Sequence, residues 1–191
     1  MMIINKIRKL WFNYRLRRLN PSKRSDLLRP LFYHIGENVE LYTTSFGTEP
    51  YLINIEDDVV VASSVRFVNH DVSCFRMAKY LGVPKESVDK VGPITLHKNC
   101  FVGAYTTLMP GCSVGCNSVV AACSVVTKHI PDGEVWGGVP AKFIMKTDEY
   151  AKRVVEQSKK YPWIEKKKFM SKEEIVRSRQ EFFFEQNDNG V

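Results

Sequence analysis

At 191 residues, 44% hydrophobic and 26% charged, the chain has room for one ordinary domain with terminal additions, and its composition excludes a disordered protein. The net charge of +7 is unevenly placed: Lys6, Arg8, Lys9, Arg15, Arg17, Arg18, Lys23, Arg24 and Arg29 face Asp26 alone within residues 1–30, and the rest is close to neutral. A neutral body with one basic arm argues against a nucleic-acid-binding surface and leaves a polyanionic ligand or an acidic membrane surface as partners for the arm.

Residues 1–34 are expected to form a basic helical cap, with Ile3, Ile7, Leu10, Trp11, Tyr14 and Leu19 roughly on one side. Packing of that side against the end of the fold is favoured over peripheral membrane contact. The short apolar patch at the start has no small-residue cleavage site after it, and no stretch approaches the length of a membrane-spanning helix, so a cytoplasmic protein is expected.

From Ile35 a six-residue period sets the architecture. Leu96, Val102, Leu108, Val114, Val120 and Val126 are aliphatic in one register; four residues after each come Cys100, Thr106, Cys112, Ser118, Ser124 and Ile130, five of them small. Six fits neither a helix nor a plain alternating strand, and is the spacing of a coil whose flat faces take one hexad each. Gly103, Gly111, Gly115 and Asn117 lie between and are expected to supply positive φ at the bends. Upstream, Ile35, Leu41, Ile55, Val61 and Phe67 continue the register, with two surplus residues between Leu41 and Ile55 that should bulge outward in SFGTEPY. A second interruption, residues 69–93, loses the pattern and reads as an excursion loop.

Residues 146–191 read as a helical tail broken at Pro162, with a capping box from Ser171 to Glu174 and a Phe182–Phe184 cluster expected to bury. Cys74, Cys100, Cys112, Cys116 and Cys123 form no CxxC pair and are odd in number, which fits neither a zinc site nor a complete disulfide framework.

ITLHKNCFVGAYTTLMPGCSVGCNSVVAACSVVTKHIPDGEVWGGVPAKFI, preceded by EPYLINIEDDVVVASSVRFVNHD, resembles the hexapeptide-repeat acyltransferases of the maltose, galactoside and capsular-polysaccharide O-acetyltransferase type, over roughly Ile35 to Ile144. The resemblance implies a left-handed parallel β-helix over residues 35–145, a homotrimer with active sites between subunits, acetyl-CoA as acyl donor and no required metal. It also implies a sugar or polysaccharide-precursor hydroxyl as acceptor. His70, at the mouth of the excursion, matches the family's general base, which a neutral imidazole suits near neutral pH. Glu49 matches an acidic position that lines the acceptor site, where it would orient His70 or bind the acceptor; Asp71 adjoins the base and is a second candidate partner. The backbone amide of Ala104, after Gly103, is placed against the thioester carbonyl. The carrier is expected along Phe101, Ala121 and Ala122, with Thr127, Lys128 and Lys142 meeting its phosphates. His34, His97 and His129 are expected to be surface or turn residues, and Trp136 would pack on adenine or on a helix edge.

Three other readings share this pattern: a non-catalytic scaffold on the same coil, an acetyltransferase with an amino-sugar or antibiotic acceptor, and a metal enzyme of the γ-type carbonic anhydrase kind. The last needs a close histidine pair that this sequence lacks.

Overall fold

The computed structural model describes residues 14–185, so the apolar side chains expected at residues 3, 7, 10 and 11 lie outside the described residues. Two compact units are formed, one ending at Thr147 and one beginning at Asp148.

The first unit is a three-faced coil of short parallel strands. One face stacks His34–Ile35, Ile53–Ile55, Ile94–Leu96, Ser113–Val114 and His129–Ile130; the second runs through Glu40–Leu41, Val60–Val61, Phe101–Val102, Val119–Val120 and Glu134–Gly137; the third holds Arg66–Phe67, Thr107–Leu108 and Val125–Val126. Leu96 pairs with Val114, Val102 with Val120 and Leu108 with Val126, so three hexads make one turn of eighteen residues. These residues and their upstream partners Ile55, Val61 and Phe67 are all buried at the axis.

Nine of the described corners bend in the same way; those after Leu41, Phe67 and Val126 do not. The residue three positions after an inward aliphatic has positive φ: Asn38 (55°), Asp58 (60°), Ser64 (60°), Asn99 (56°), Tyr105 (61°), Asn117 (56°), Cys123 (58°), Gly111 (80°) and Gly133 (66°). Such a conformation costs a side chain something. At one corner the cost is offset by a ladder of side chains, with Asn38 Nδ2 donating to Asp58 Oδ1 at 3.1 Å and Asn99 Nδ2 to Asn117 Oδ1 at 2.8 Å. Gly103 and Gly115 correct the expectation made for them. Neither has positive φ; a Cβ at Gly103 would lie 2.5 Å from the Ala122 amide nitrogen, and one at Gly115 would lie 2.6 Å from that of Asp132, so both are glycine because adjacent coils touch there.

The five small residues of the second series are buried beside the axis, where hydroxyls find carbonyls: Ser118 Oγ donates to Pro131 O at 2.7 Å and Ser124 Oγ to Ala121 O at 2.7 Å. Burial pushes the thiols of Cys100 and Cys112 up to about 12. Ile130 breaks the series because it belongs to the other one: it pairs with Val114 on the axis, only four residues after Val126. Trp136 then occupies the axial position above Val120, with its indole N–H on Glu134 at 2.7 Å, and packs neither outward nor on a helix edge.

Ahead of the first coil, Pro21–Leu28 is a helix opened by Asn20, whose side chain accepts from the Lys23 amide at 2.9 Å. Its side chains reach the coil's backbone. Arg24 donates to the carbonyls of Leu16, Leu19, Leu41 and Thr43, Ser25 Oγ to Val39 O at 2.6 Å, and Arg29 to Ile35 O. The bulge is anchored rather than free, for Phe46 turns inward, its ring 5.1 Å from Phe32 and 5.6 Å from Phe67. The excursion is not merely a loop. Cys74–Leu81 is a helix with Ala78 buried, ended by Gly82 at φ 68°, and Lys85–Ser87 adds a 3₁₀ turn.

In the second unit, the helices Thr147–Lys159 and Lys172–Gln180 flank Pro162. The expected capping box is present, Glu174 N donating to Ser171 Oγ at 3.2 Å and Ser171 N to Glu174 Oε2 at 2.7 Å. Phe182 and Phe183 pack on Tyr161 and Trp163, but the cluster is not buried as expected: Phe182 is half-buried, and Phe183 and Phe184 are exposed.

Removing an axial side chain leaves a void that neighbouring coils cannot fill. Leu108→Ala should lower unfolding stability by about 2–5 kcal/mol, while outward-facing Thr107→Ala should stay within about 0.5 kcal/mol; urea titration of both variants measures the difference.

Candidate active site

The site is assembled where the excursion leaves and rejoins the coil. His70 forms an antiparallel bridge with Val91, flanked by Gly92 N on Asn69 O at 3.0 Å and Asp71 N on Lys90 O at 2.8 Å, so the neck of the excursion is a short paired ribbon. Asn69 is fully buried and ties this neck to the bulge of the preceding coil: its Nδ2 donates to Glu49 O at 2.7 Å and its Oδ1 accepts from Glu49 N at 3.2 Å. Gly47 makes room for it, at φ 71° and with Asn69 Oδ1 only 2.5 Å from where a Cβ would stand.

This brace delivers the Glu49 carboxylate to the histidine. His70 Nδ1 lies 3.2 Å from Glu49 Oε1, and the two side chains are 19% and 21% exposed. Hydrogen bonds from Tyr51 and then His70 hold the Glu49 carboxyl below the usual carboxylate range, and the same contact raises the Tyr51 hydroxyl. An ionised Glu49 only accepts, so Nδ1 carries the proton and the lone pair of a neutral ring sits on Nε2. Nε2 is buried and makes no hydrogen bond, although Asp89 Oδ1 approaches to 3.2 Å. That approach lacks hydrogen-bond alignment. Phe75 closes the ring's edge at 5.9 Å.

Asp71 is turned away from the histidine. It takes Lys90 Nζ at 2.7 Å and the Ser73 amide at 3.0 Å, which together bring its carboxyl down to about 2. Asp89 and Asn69 are the residues sequence reasoning missed. Asp89 is far along the chain and reaches His70 only through closure of the neck; Asn69, beside the histidine, carried no signal beyond adjacency.

A second group lies at the next corner round the coil. Cys123 N donates to Ala104 O at 2.8 Å, and Gly103 N to Val120 O at 2.8 Å, while the Ala104 amide enters neither bond. At the corner after the first face the amide at this hexad position is taken by a carboxylate: Glu37 N by Asp57, Lys98 N by Glu56, Cys116 N by Asp132. Ala122 stands beside Gly103, but Ala121 is spent internally, its N–H on Trp136 O and its carbonyl on Ser124 and Thr106. Phe101 is exposed on its strand; Thr127, Lys128 and Lys142 are exposed, with Lys128 Nζ 5.2 Å from the Trp136 ring. His97 bonds Glu56 at 2.9 Å and His129 bonds Ser113 at 2.7 Å, both outside this group. Among the described residues no set of three or more His, Cys, Asp or Glu is arranged to hold a metal ion, and no helix is long and apolar enough to cross a membrane.

A parallel coil of hexads, whose excursion at residues 69–93 presents a carboxylate-braced histidine, defines the class of hexapeptide-repeat transferases. The family described as "Bacterial transferase hexapeptide (six repeats)" matches residues 93–128. Protein CapG of Staphylococcus aureus is 34% identical over 172 residues, 86% of this chain and 94% of that protein. Galactoside O-acetyltransferase of Escherichia coli K12 is 26% identical over 132 residues, covering 63% of this chain and 60% of that enzyme. A solved galactoside acetyltransferase in complex with coenzyme A superposes with a TM-score of 0.52 at 26% identity, over 76% of this chain and 82% of that one. The chain belongs to the hexapeptide-repeat acyltransferase family and is an acyltransferase.

The Asp71–Lys90 clamp gives the neck an acid limit. Because the folded carboxyl titrates at about 2, below its ordinary 3.8, the clamp's contribution is complete above about pH 4 and is lost as pH falls towards 2. NMR titration of the Asp71 carboxyl should show this, and Lys90→Met should move its midpoint up towards 3.8.

Proposed function

We propose that the chain is an acetyl-CoA-dependent O-acetyltransferase acting on a hydroxyl of a sugar or polysaccharide precursor, with His70 as general base. The observation that carries this reading is the state of the His70 ring, whose Nδ1 is fixed on Glu49 while Nε2 is buried without a hydrogen-bond partner. A buried ring nitrogen with an unused lone pair is expensive as structure and is what proton abstraction needs.

The acceptor hydroxyl donates to Nε2 and its oxygen attacks the thioester carbonyl. The proton passes to the ring, and Glu49 steadies the imidazolium. The Ala104 amide, unspent in the coil's own hydrogen bonds, meets the developing oxyanion. Collapse forms the ester, breaks the C–S bond and returns the proton to the departing thiolate. The carrier would run past Phe101, Gly103 and Ala122, with backbone contact at Ala122 rather than Ala121, and its phosphates would meet Thr127, Lys128 and Lys142. Galactoside acetyltransferase, with coenzyme A bound in its solved structure, supports both the donor and a sugar acceptor.

His70 follows the strand Arg66–Phe67 of the third face, whereas Ala104 follows Phe101–Val102 of the second, so one chain presents base and oxyanion amide at different corners. Together with what the family resemblance implies, this separation supports a homotrimer of left-handed coils in which one subunit's Ala104 corner completes the His70 site of its neighbour. Residues 14–34 cap the first coil, and a cytoplasmic location suits a donor made there.

A thiol-release assay with acetyl-CoA against a sugar panel tests the reading. His70→Ala should lower kcat by about 10²–10⁴ while coenzyme A binding stays within about twofold. Transfer at the wild-type rate by His70→Ala would remove His70 as the base, and no binding of coenzyme A by the wild type would leave the scaffold reading.

A further inference from the structure

Three carboxylates surround the neck of the excursion, and two are committed. Glu49 is held by His70 Nδ1 and Tyr51; Asp71 is held by Lys90 and Ser73. Asp89 accepts no hydrogen bond among the described residues; it lies 3.2 Å from His70 Nε2 without hydrogen-bond alignment, its charge also acts on Tyr51, and its side chain is 61% exposed. In the state that a general base needs, with Nδ1 donating to Glu49 and the ring neutral, the lone pair of Nε2 faces a carboxylate oxygen. Two acceptors then face each other with no donor between them, a contact that is unfavourable until a donor arrives.

Resting on the reading of His70 as base, we propose that Asp89 is an acceptor-binding residue, which accepts a hydrogen bond from the hydroxyl adjacent to the one being acylated. A hydroxyl entering to donate to Nε2 must displace the Asp89 carboxylate from its present position. Adjacent hydroxyls of a sugar ring lie within hydrogen-bond reach of each other, so the second meets the displaced carboxylate a short movement away. One diol thus supplies a donor to each of the two facing acceptors. The substrate class is an acceptor with vicinal hydroxyls; an isolated alcohol satisfies Nε2 and leaves Asp89 unpaired.

The test uses the full-length protein with methyl galactoside and methyl glucoside, each compared with its monodeoxy derivatives. Wild type should lose about 10- to 100-fold in kcat/KM when the hydroxyl next to the acylated one is deleted, the range of a hydrogen bond to a charged group. In Asp89→Ala the intact and deoxy sugars should react within about threefold of each other, both near the wild-type rate on the deoxy sugar. Asp89→Asn, which keeps shape and an acceptor oxygen, should retain part of the penalty. A purely structural role would slow both sugars alike and preserve the penalty in Asp89→Ala, which would overturn the proposal, as would a wild type indifferent to the deletion. Absence of transfer by wild type to any sugar, a separate result, would remove the reading of His70 itself and the proposal with it.

Discussion

Each face of this coil turns the same alternating set of side chains to the axis on every turn, and that constraint governs the rest of the molecule. A strand of two residues has one side chain in and one out, so a slip of one position would carry an aliphatic residue to solvent and a polar one to the axis. Ile55 pairs with Leu96, Val61 with Val102 and Phe67 with Leu108 across the whole excursion, so every inserted residue leaves the coil and returns without changing the register. Shortening is absorbed as well, since Ile130 reaches the axis early and Trp136 fills the place above Val120.

An insertion that must leave and rejoin one corner needs its two ends side by side, and here that need also makes the site. The neck pairs His70 with Val91, which fixes the backbone of the base, and buried Asn69 locks the neck to the bulge that carries Glu49. The imidazole is thereby oriented by a rigid junction, the kind of support that positioning to within fractions of an ångström requires. Asp71 belongs to the same junction, closing it with Lys90 from outside.

The hexads were legible because side-chain period is a local property of the sequence, and so were the break that displays His70 and the acidic residue in the bulge that faces it. Gly103 and Gly115 were misassigned because a glycine demanded by a neighbouring coil looks, in one dimension, like a glycine demanded by a turn. Ile130 and Trp136 were hidden by a turn two residues short, which moves the count out of phase. The helix Cys74–Leu81 has no side-chain cap and only eight residues, too little to stand out from a charged loop. Asp89 and Asn69 act through contacts that exist only once the neck closes, and no spacing encodes that closure.

The basic arm shows how charge and function can part company. Its excess of arginine and lysine suggests an anionic partner, yet Arg24 is buried and its guanidinium is spent on carbonyls of Leu16, Leu19, Leu41 and Thr43. The first coil has no coil before it, so carbonyls that would elsewhere pair with a neighbouring strand need donors from another source. Arginine answers that need well, having five N–H donors in a rigid fork and no acceptor of its own. Burial disfavours its charge, as the lowering of the Arg24 pKa shows, and several carbonyl oxygens at once offset that cost. Arg29, with one donor on Ile35 O and its remaining contacts to Glu37 and Asp26, extends the same use of charge along the coil's edge. Among the described residues of the arm, Arg24 and Arg29 thus serve the backbone, and their charge does not by itself call for an anionic partner.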